Sequence, residues 1–290
     1  MKNLQFIKMH GLGNDYVYLD CIGGPMPKDP VSLARKVSHR NFGVGADGLV
    51  LILPSEEADL AMRIWNADGS EAEMCGNATR CVGKYAYEHS LVKKETITLS
   101  TKGGIKVLAL DLDKQGKVCS VRVDMGKPRL KPSEIPLKLD MDQAVEEELS
   151  AAGQSWQFTA VSMGNPHCVI FVPEVEDLPL SQIGPPIEKH QLFPERTNVE
   201  FVKVLGPQRL RMRVWERGSG ETMACGTGAS ATAVAAVLCG LAKKGTPITI
   251  VLNGGELEIE WALDDHVYMT GPATEVFTGQ LTEEFLAEEE

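Results

Sequence analysis

The sequence predicts an α+β fold of two pseudo-symmetric domains arising by internal duplication. Each domain is expected to be a mixed or antiparallel strand barrel wrapped around a central helix, with the active site in the cleft between them. Three observations predict this. Met62-Arg63-Ile64-Trp65-Asn66 returns 150 positions later as Met212-Arg213-Val214-Trp215-Glu216, and the same ungapped offset superposes Glu71 on Glu221, Cys75 on Cys225 and Gly76 on Gly226. Gly13-Asn14 precedes one apolar run and Gly164-Asn165 precedes another, 151 positions on. Each half also places a helical pattern just after its Cys-Gly pair, among many short alternating runs that read as strands.

In chain order, the first half offers strands at 4–8, 16–20, 49–53, 61–65, 96–100, 105–110 and 118–124, with a helix at 77–89. The segment 125–138, rich in Pro, Lys and Gly, reads as the connection between domains. Residues 142–152 are acidic with few apolar positions and read as a surface helix. The second half offers strands at 158–162, 167–172, 199–204, 210–215, 248–252, 257–261 and 267–270, with a helix at 227–241. That helix is apolar nearly all round, so strands must enclose it. The acidic tail, 283–290, is expected to fray.

Bulk properties narrow the function classes. A chain of 290 residues fits two domains at ~150 residues each. The formal net charge of -11 argues against a nucleic-acid partner, since phosphate binding needs clustered Lys and Arg. The first ten residues lack the apolar run of a secretory signal, and the apolar stretch 229–242 is shorter than the ~20 residues of a membrane span, so a cytoplasmic protein without a membrane partner is expected. Seven cysteines, an odd number with no Cys-x-x-Cys pair, argue against a disulfide framework and give little support to a zinc site. Most are expected to be small buried hydrophobes.

Cys75 and Cys225 stand apart because they repeat. Each is expected where a loop becomes a helix, with Asn77 and Thr227 as cap-type residues and Gly76 and Gly226 allowing close backbone approach. A helix start presents unpaired amides and the positive end of its dipole. A thiol there is expected to ionise more easily, and a carboxylate can be held by the same amides. Two such thiols facing one substrate carbon would let one remove a proton while the other delivers one. Without further context, Asn14 and Asn165 also read as turn residues, His167 as a core histidine, and Glu216-Arg217 as a surface ion pair.

These residues resemble the diaminopimelate epimerase family. The resemblance runs through Met9-His10-Gly11-Leu12-Gly13-Asn14-Asp15, Gly43-Val44-Gly45-Ala46-Asp47-Gly48, Asn66-Ala67-Asp68-Gly69-Ser70 and Met74-Cys75-Gly76-Asn77. It continues in Gly164-Asn165-Pro166-His167, Arg196-Thr197-Asn198, Trp215-Glu216-Arg217-Gly218 and Ala224-Cys225-Gly226-Thr227-Gly228. Proline racemase-like relatives share the paired cysteines but carry His where Asn77 stands. Some family members carry Gln at Gly48, which has no side chain to offer and is left out of the expected site.

The resemblance implies interconversion of LL- and meso-diaminopimelate in lysine and peptidoglycan-precursor synthesis, with no cofactor and no metal, by a homodimer. It implies that the last strand and tail return to the first domain, giving domains of 1–124 plus about 272–290, and 125–271. It assigns catalysis to Cys75 and Cys225, with His167 and Glu216 setting their protonation. Gly76, Asn77, Gly226 and Thr227 would hold the reacting α-carboxylate. Asn14, Asn66, Asn165, Asn198, Glu216 and Arg217 would read the distal amino-acid end. Cys81 and Cys239 read as structural, and Cys168, beside His167, leaves a minor site role open. Rival readings are a proline- or hydroxyproline-type isomerase, and a thiol redox or binding protein using the cysteines as a switchable disulfide.

Overall fold

The computed structural model describes residues 4–287. Backbone contacts divide the chain into one unit of residues 1–123 with 271–290 and a second of residues 124–270.

The first unit contains β1 (Leu4–Gly11), β2 (Asn14–Asp20), α1 (Pro30–Ser38), β3 (Gly48–Leu53), β4 (Leu60–Asn66), β5 (Glu71–Ala72), α2 (Gly76–Glu88), β6 (Thr96–Thr101), β7 (Gly104–Leu112) and most of β8 (Val118–Gly126). β1 and β2 form a hairpin, β2 runs parallel to β3, β3 pairs antiparallel with β4, and β4 runs parallel to β6. β6, β7 and β8 complete an antiparallel meander. Helix α2 packs against β1, β2 and β7, burying Gly76 to Gly83 along its first two turns.

The second unit repeats the plan. After a 3-10 turn (Pro132–Glu134) it contains β9 (Glu147–Ala151), β10 (Gln154–Ser162), β11 (Pro166–Phe171), α3 (Leu180–Glu188), β12 (Asn198–Gly206), β13 (Arg209–Glu216), β14 (Gly220–Glu221), α4 (Gly226–Leu238), β15 (Ile248–Leu252), β16 (Gly255–Trp261) and β17 (Val267–Gly271). β11 runs parallel to β12, β12 antiparallel to β13, and β13 parallel to β15, the same sequence of pairings as in the first unit. The small Gly, Ala, Ser and Thr residues of α4 let β10 to β13, β15 and β16 pack closely against it. β18 (Thr274–Leu281) then pairs antiparallel with β1, and the short α5 (Glu283–Leu286) follows.

Each unit has its own core. One gathers Leu4, Phe6, Leu19, Leu33, Val37, Leu51 and Trp65. The other gathers Leu149, Trp156, Phe158, Ile170, Ile187, Phe193 and Phe201.

Several local expectations need correction. Residues 142–152 do not form a helix: 147–151 are β9, whose Leu149 and Ala151 turn inward while Glu148 and Ser150 turn out. Ala152 and Gly153, both at positive φ, make the two-residue turn into β10. The segment 125–138, read as the connection between domains, begins just past the division of the two units and is tied into the second. Arg129 pairs through its backbone with Ser162, and Ile135 and Leu137 enter the second core. Three helices, α1, α3 and the short α5, went unpredicted. α1 carries a legible start in Asp29-Pro30, whereas α3 holds Pro185 and Pro186, residues that break most helices. The tail is ordered as far as described: Thr282 caps α5, and Phe285 and Leu286 pack on the first core. The rest of the expected fraying segment, 288–290, lies outside the described residues.

Candidate active site

In the first unit the site grows from the β1–β2 turn and the start of α2. Leu12 and Gly13 take positive φ, which turns the chain sharply and delivers Asn14 at the head of β2. Gly11 lies under α2: a β-carbon there would meet Arg80 Nη2 at 2.8 Å and Asn77 Cα at 3.2 Å. The close approach lets Asn14 Oδ1 accept from the Cys75 thiol at 3.4 Å and from Asn77 Nδ2 at 3.2 Å. Asn14 Nδ2 donates to Asp47 Oδ2 at 2.9 Å, and Arg40 donates to Asp47 Oδ1 at 2.9 Å. Burial, reinforced by Asp15, raises the Asp47 carboxyl above the usual carboxylate range. Arg80 is fully buried and donates to Asn77 Oδ1 at 2.8 Å and to Pro272 O at 3.1 Å, and burial lowers its guanidinium from its usual value. Asn66 sits in the β4–β5 turn, bonded to Ser70 Oγ at 3.0 Å, and the amide of the next residue, Ala67, donates to Asp47 O.

The helix starts differ from expectation in one respect. The N-cap positions are Cys75 and Cys225 themselves, so Asn77 and Thr227 lie inside the first turn rather than capping it. Cys225 Sγ takes the capping role, accepting from Gly228 N at 3.3 Å.

In the second unit Gly164, at positive φ, turns the chain so that Asn165 and His167 head β11. Asn165 donates to Thr227 Oγ1 at 3.3 Å and its Oδ1 lies 3.1 Å from His167 Nε2. His167 is fully buried and its Nδ1 lies 2.7 Å from Glu200 Oε1. The other Glu200 oxygen has no hydrogen-bond partner and is buried. Gly228 is required by this packing, because a β-carbon there would stand 2.7 Å from Glu200 Oε1. Thr222 Oγ1 donates to Glu216 Oε1. Glu216 keeps partial exposure, but its carboxyl is enclosed, and burial raises it from its usual value. Asn198 Nδ2 donates to Pro166 O at 3.0 Å, and its Oδ1 accepts from Arg217 N at 2.8 Å. The Arg217 guanidinium donates to Glu195 O and lines a cavity of about 370 Å³ with Ser162, Gly164 and Pro166. A second cavity, about 400 Å³ and lined by Leu33, Lys36 and Leu286 among others, contains none of these residues.

The ionisation of Cys225 is opposite to expectation. Burial, then the charges of Glu216 and Glu200, push this thiol well above its usual value. A helix dipole is worth only ~0.3–2 kcal/mol, against ~1.4 kcal/mol for each pKa unit of opposing shift. Burial thus outweighs the helix dipole at Cys225. Cys168 is likewise raised by burial, and Cys81 is pushed up to about 11, as befits core residues.

The sequence-predicted residues thus gather as Asn14, Cys75, Gly76 and Asn77 in one unit, with Asn66 joined through Asp47. In the other unit they gather as Asn165, His167, Glu216, Cys225, Gly226 and Thr227, with Asn198 and Arg217 joined to each other. Sequence reasoning missed Glu200, Asp47 and Arg80. Glu200 had a signal: it is a carboxylate inside the apolar run of β12.

The diaminopimelate epimerase family model matches residues 6–131 and 159–276. The chain belongs to the diaminopimelate epimerase family. Among curated members, it is 54% identical to the diaminopimelate epimerase of Pelotomaculum thermopropionicum, over 96% of this chain and 98% of that one. It is 52% identical to the diaminopimelate epimerase of Methanococcus maripaludis, over 96% and 99%. Solved structures share the two-domain epimerase fold at low identity. A Bacillus anthracis PhzF-family phenazine biosynthesis protein gives a TM-score of 0.71 at 16% identity, covering 97% of this chain and 99% of that one. A probable proline racemase from Agrobacterium radiobacter gives 0.67 at 16% identity, covering 97% and 93%. The epimerase family is thus shown by sequence, and the architecture by both comparisons.

Proposed function

We propose that this chain interconverts LL- and meso-diaminopimelate, with Cys75 and Cys225 as the acid–base pair acting on opposite faces of the substrate α-carbon. Kinship to curated diaminopimelate epimerases supports the substrate. The observation that carries the mechanism is the placement of both thiols at the N-cap of the central helix of their unit, with Asn14 accepting from the Cys75 thiol and Asn165 donating to Thr227, two residues past Cys225. One thiolate takes the α-proton while the other thiol delivers one, and the starting stereochemistry decides which does which. No electron sink or metal is required in this scheme. First-turn amides of α2 and α4, at Gly76, Asn77, Gly226 and Thr227, would hold the α-carboxylate and stabilise charge building towards the transition state.

Asn14, Asn66, Asn165, Asn198 and Arg217 would donate to the distal carboxylate, and Glu216 would accept from the distal ammonium. Glu216 and the His167–Glu200 pair would also take the Cys225 proton when that thiol must act as base. Domains of 1–124 with about 272–290 and of 125–271, a homodimeric assembly and a cytoplasmic setting complete the proposal, since working thiols need a reducing compartment. Among the described residues no helix is long and apolar enough to cross a membrane.

The test is substrate choice under reducing conditions. Diaminopimelate should be epimerised while proline and trans-4-hydroxyproline are left unchanged. Turnover of the proline substrates in place of diaminopimelate would overturn the assignment. Oxidation should abolish activity and a dithiol should restore it.

A further inference from the structure

Glu188 ends α3 with only 4% of its surface exposed, and the scheme above gives it no part. Its Oε2 accepts from Trp215 Nε1 at 2.9 Å, and its Oε1 accepts from Arg196 Nη1 at 3.3 Å. Its backbone oxygen accepts from Thr197 N at 3.1 Å. Stability alone is a poor reason for an enclosed carboxylate, because well-packed apolar residues often serve as well. The duplication makes the same point. Ser38 stands 150 positions earlier, at the end of α1, and is buried to the same degree. Its backbone oxygen accepts from Ala46 N at 3.1 Å, as that of Glu188 does from Thr197 N. Its hydroxyl makes no hydrogen bond among the described residues. The backbone junction is thus common to both units, and the carboxylate is an addition of the second.

The carboxylate joins two segments that carry groups assigned above to the distal end of the substrate. Arg196 leads into Thr197 and Asn198. It takes a φ of 61°, a left-handed conformation that a residue with a side chain keeps only when its surroundings hold it. Trp215 leads into Glu216 and Arg217 at the end of β13. Its ring lies so close to α3 that a β-carbon at Gly184 would meet it at 2.5 Å. The two segments are also bonded to each other directly. Asn198 Oδ1 accepts from Arg217 N at 2.8 Å, and Glu195 O accepts from Arg217 Nη1 at 3.0 Å.

We propose that Glu188 is a positioning residue for substrate recognition: its carboxylate ties the segment carrying Asn198 to the segment carrying Glu216 and Arg217. The tie keeps the acceptor for the distal ammonium and the donors for the distal carboxylate in one register. Both substrate groups hang from a single carbon, so their partners must hold their places to within about 0.5 Å. This rests on the diaminopimelate reading, but one arm of its test needs no substrate.

The experiment compares the parent with Glu188→Gln, which keeps the shape of the side chain and removes its charge. With LL-diaminopimelate, KM should rise about tenfold while kcat stays within about twofold, the pattern of a contact made equally in ground and transition states. A variant that merely folded less well would lose kcat at unchanged KM. Amide hydrogen exchange, read by peptide mass spectrometry without substrate, should quicken in 195–198 and 215–218 and stay unchanged in β1 and β2. That arm decides the tie whichever amino acid the parent turns over. Should Glu188→Gln fail to fold, Arg196→Met removes one of the two side-chain bonds from an exposed position, and KM should rise by a smaller factor. An unchanged KM in a folded variant, or unchanged exchange in the two segments, overturns the proposal.

Discussion

Cys225 combines a helix N-terminus, which favours a thiolate, with burial and two carboxylates, which oppose it. The carboxylates can be removed one at a time. Glu216→Gln deletes a charge that holds the Cys225 proton, so the midpoint of Cys225 alkylation should move to lower pH. The same change should slow epimerisation by ~10²–10⁴-fold, the usual worth of a general acid–base group. It should also alter stability in a pH-dependent way. Folding raises the Glu216 carboxyl, so its contribution to stability is complete below the unfolded value and is lost as pH rises through the folded one. Melting of Glu216→Gln should therefore gain on the parent at about pH 8 and little at about pH 4. At this scale the cysteines, asparagines and Glu216 were legible, because cap chemistry and repetition mark them. The sign of the Cys225 shift was not legible. It depends on Glu200, which lies 33 positions from His167 in sequence and is brought beside it by strand pairing.

The central helices owe their placement to glycines that give up side-chain volume. Gly11→Ala would force a β-carbon onto Asn77 and Arg80 at the start of α2, and Gly228→Ala would force one onto Glu200 at the start of α4. Each should cost about 1–3 kcal/mol of stability by overpacking, measured by denaturant unfolding, and each should lower kcat by displacing an active-site group. Elements with a clear apolar pattern were legible, alternating in β4 and β13 and near-continuous in β3 and α4. Those that broke a rule were not: α3 runs through two prolines, and the acidic composition of 142–152 concealed the alternation of β9. The Ala152-Gly153 turn was the missed cue, since a Gly-containing pair between short runs marks a hairpin.

Across the whole molecule the duplication explains why one pairing order serves twice, and why Asn14, Cys75 and Asn77 find counterparts in Asn165, Cys225 and Thr227. The first unit is completed by the far end of the chain, where β18 pairs with β1 along seven residues from Leu4 to His10. A chain stopped after Gly271 should lose amide-exchange protection in β1 and β2 and keep it in residues 124–270. The duplicated motifs were readable from sequence. The partner of β1 was expected only by kinship, because a return strand leaves no local mark.

The central claim is that two thiols divide the work on one carbon, and solvent exchange tests it most directly. Reduced protein is incubated with LL-diaminopimelate in D₂O with no added cofactor, alongside Cys75→Ala and Cys225→Ala, and the α-proton is followed by NMR. The account predicts meso product carrying deuterium at the inverted carbon from the parent chain, and no epimerisation from either variant. Continued epimerisation by a folded variant lacking one thiol would contradict it.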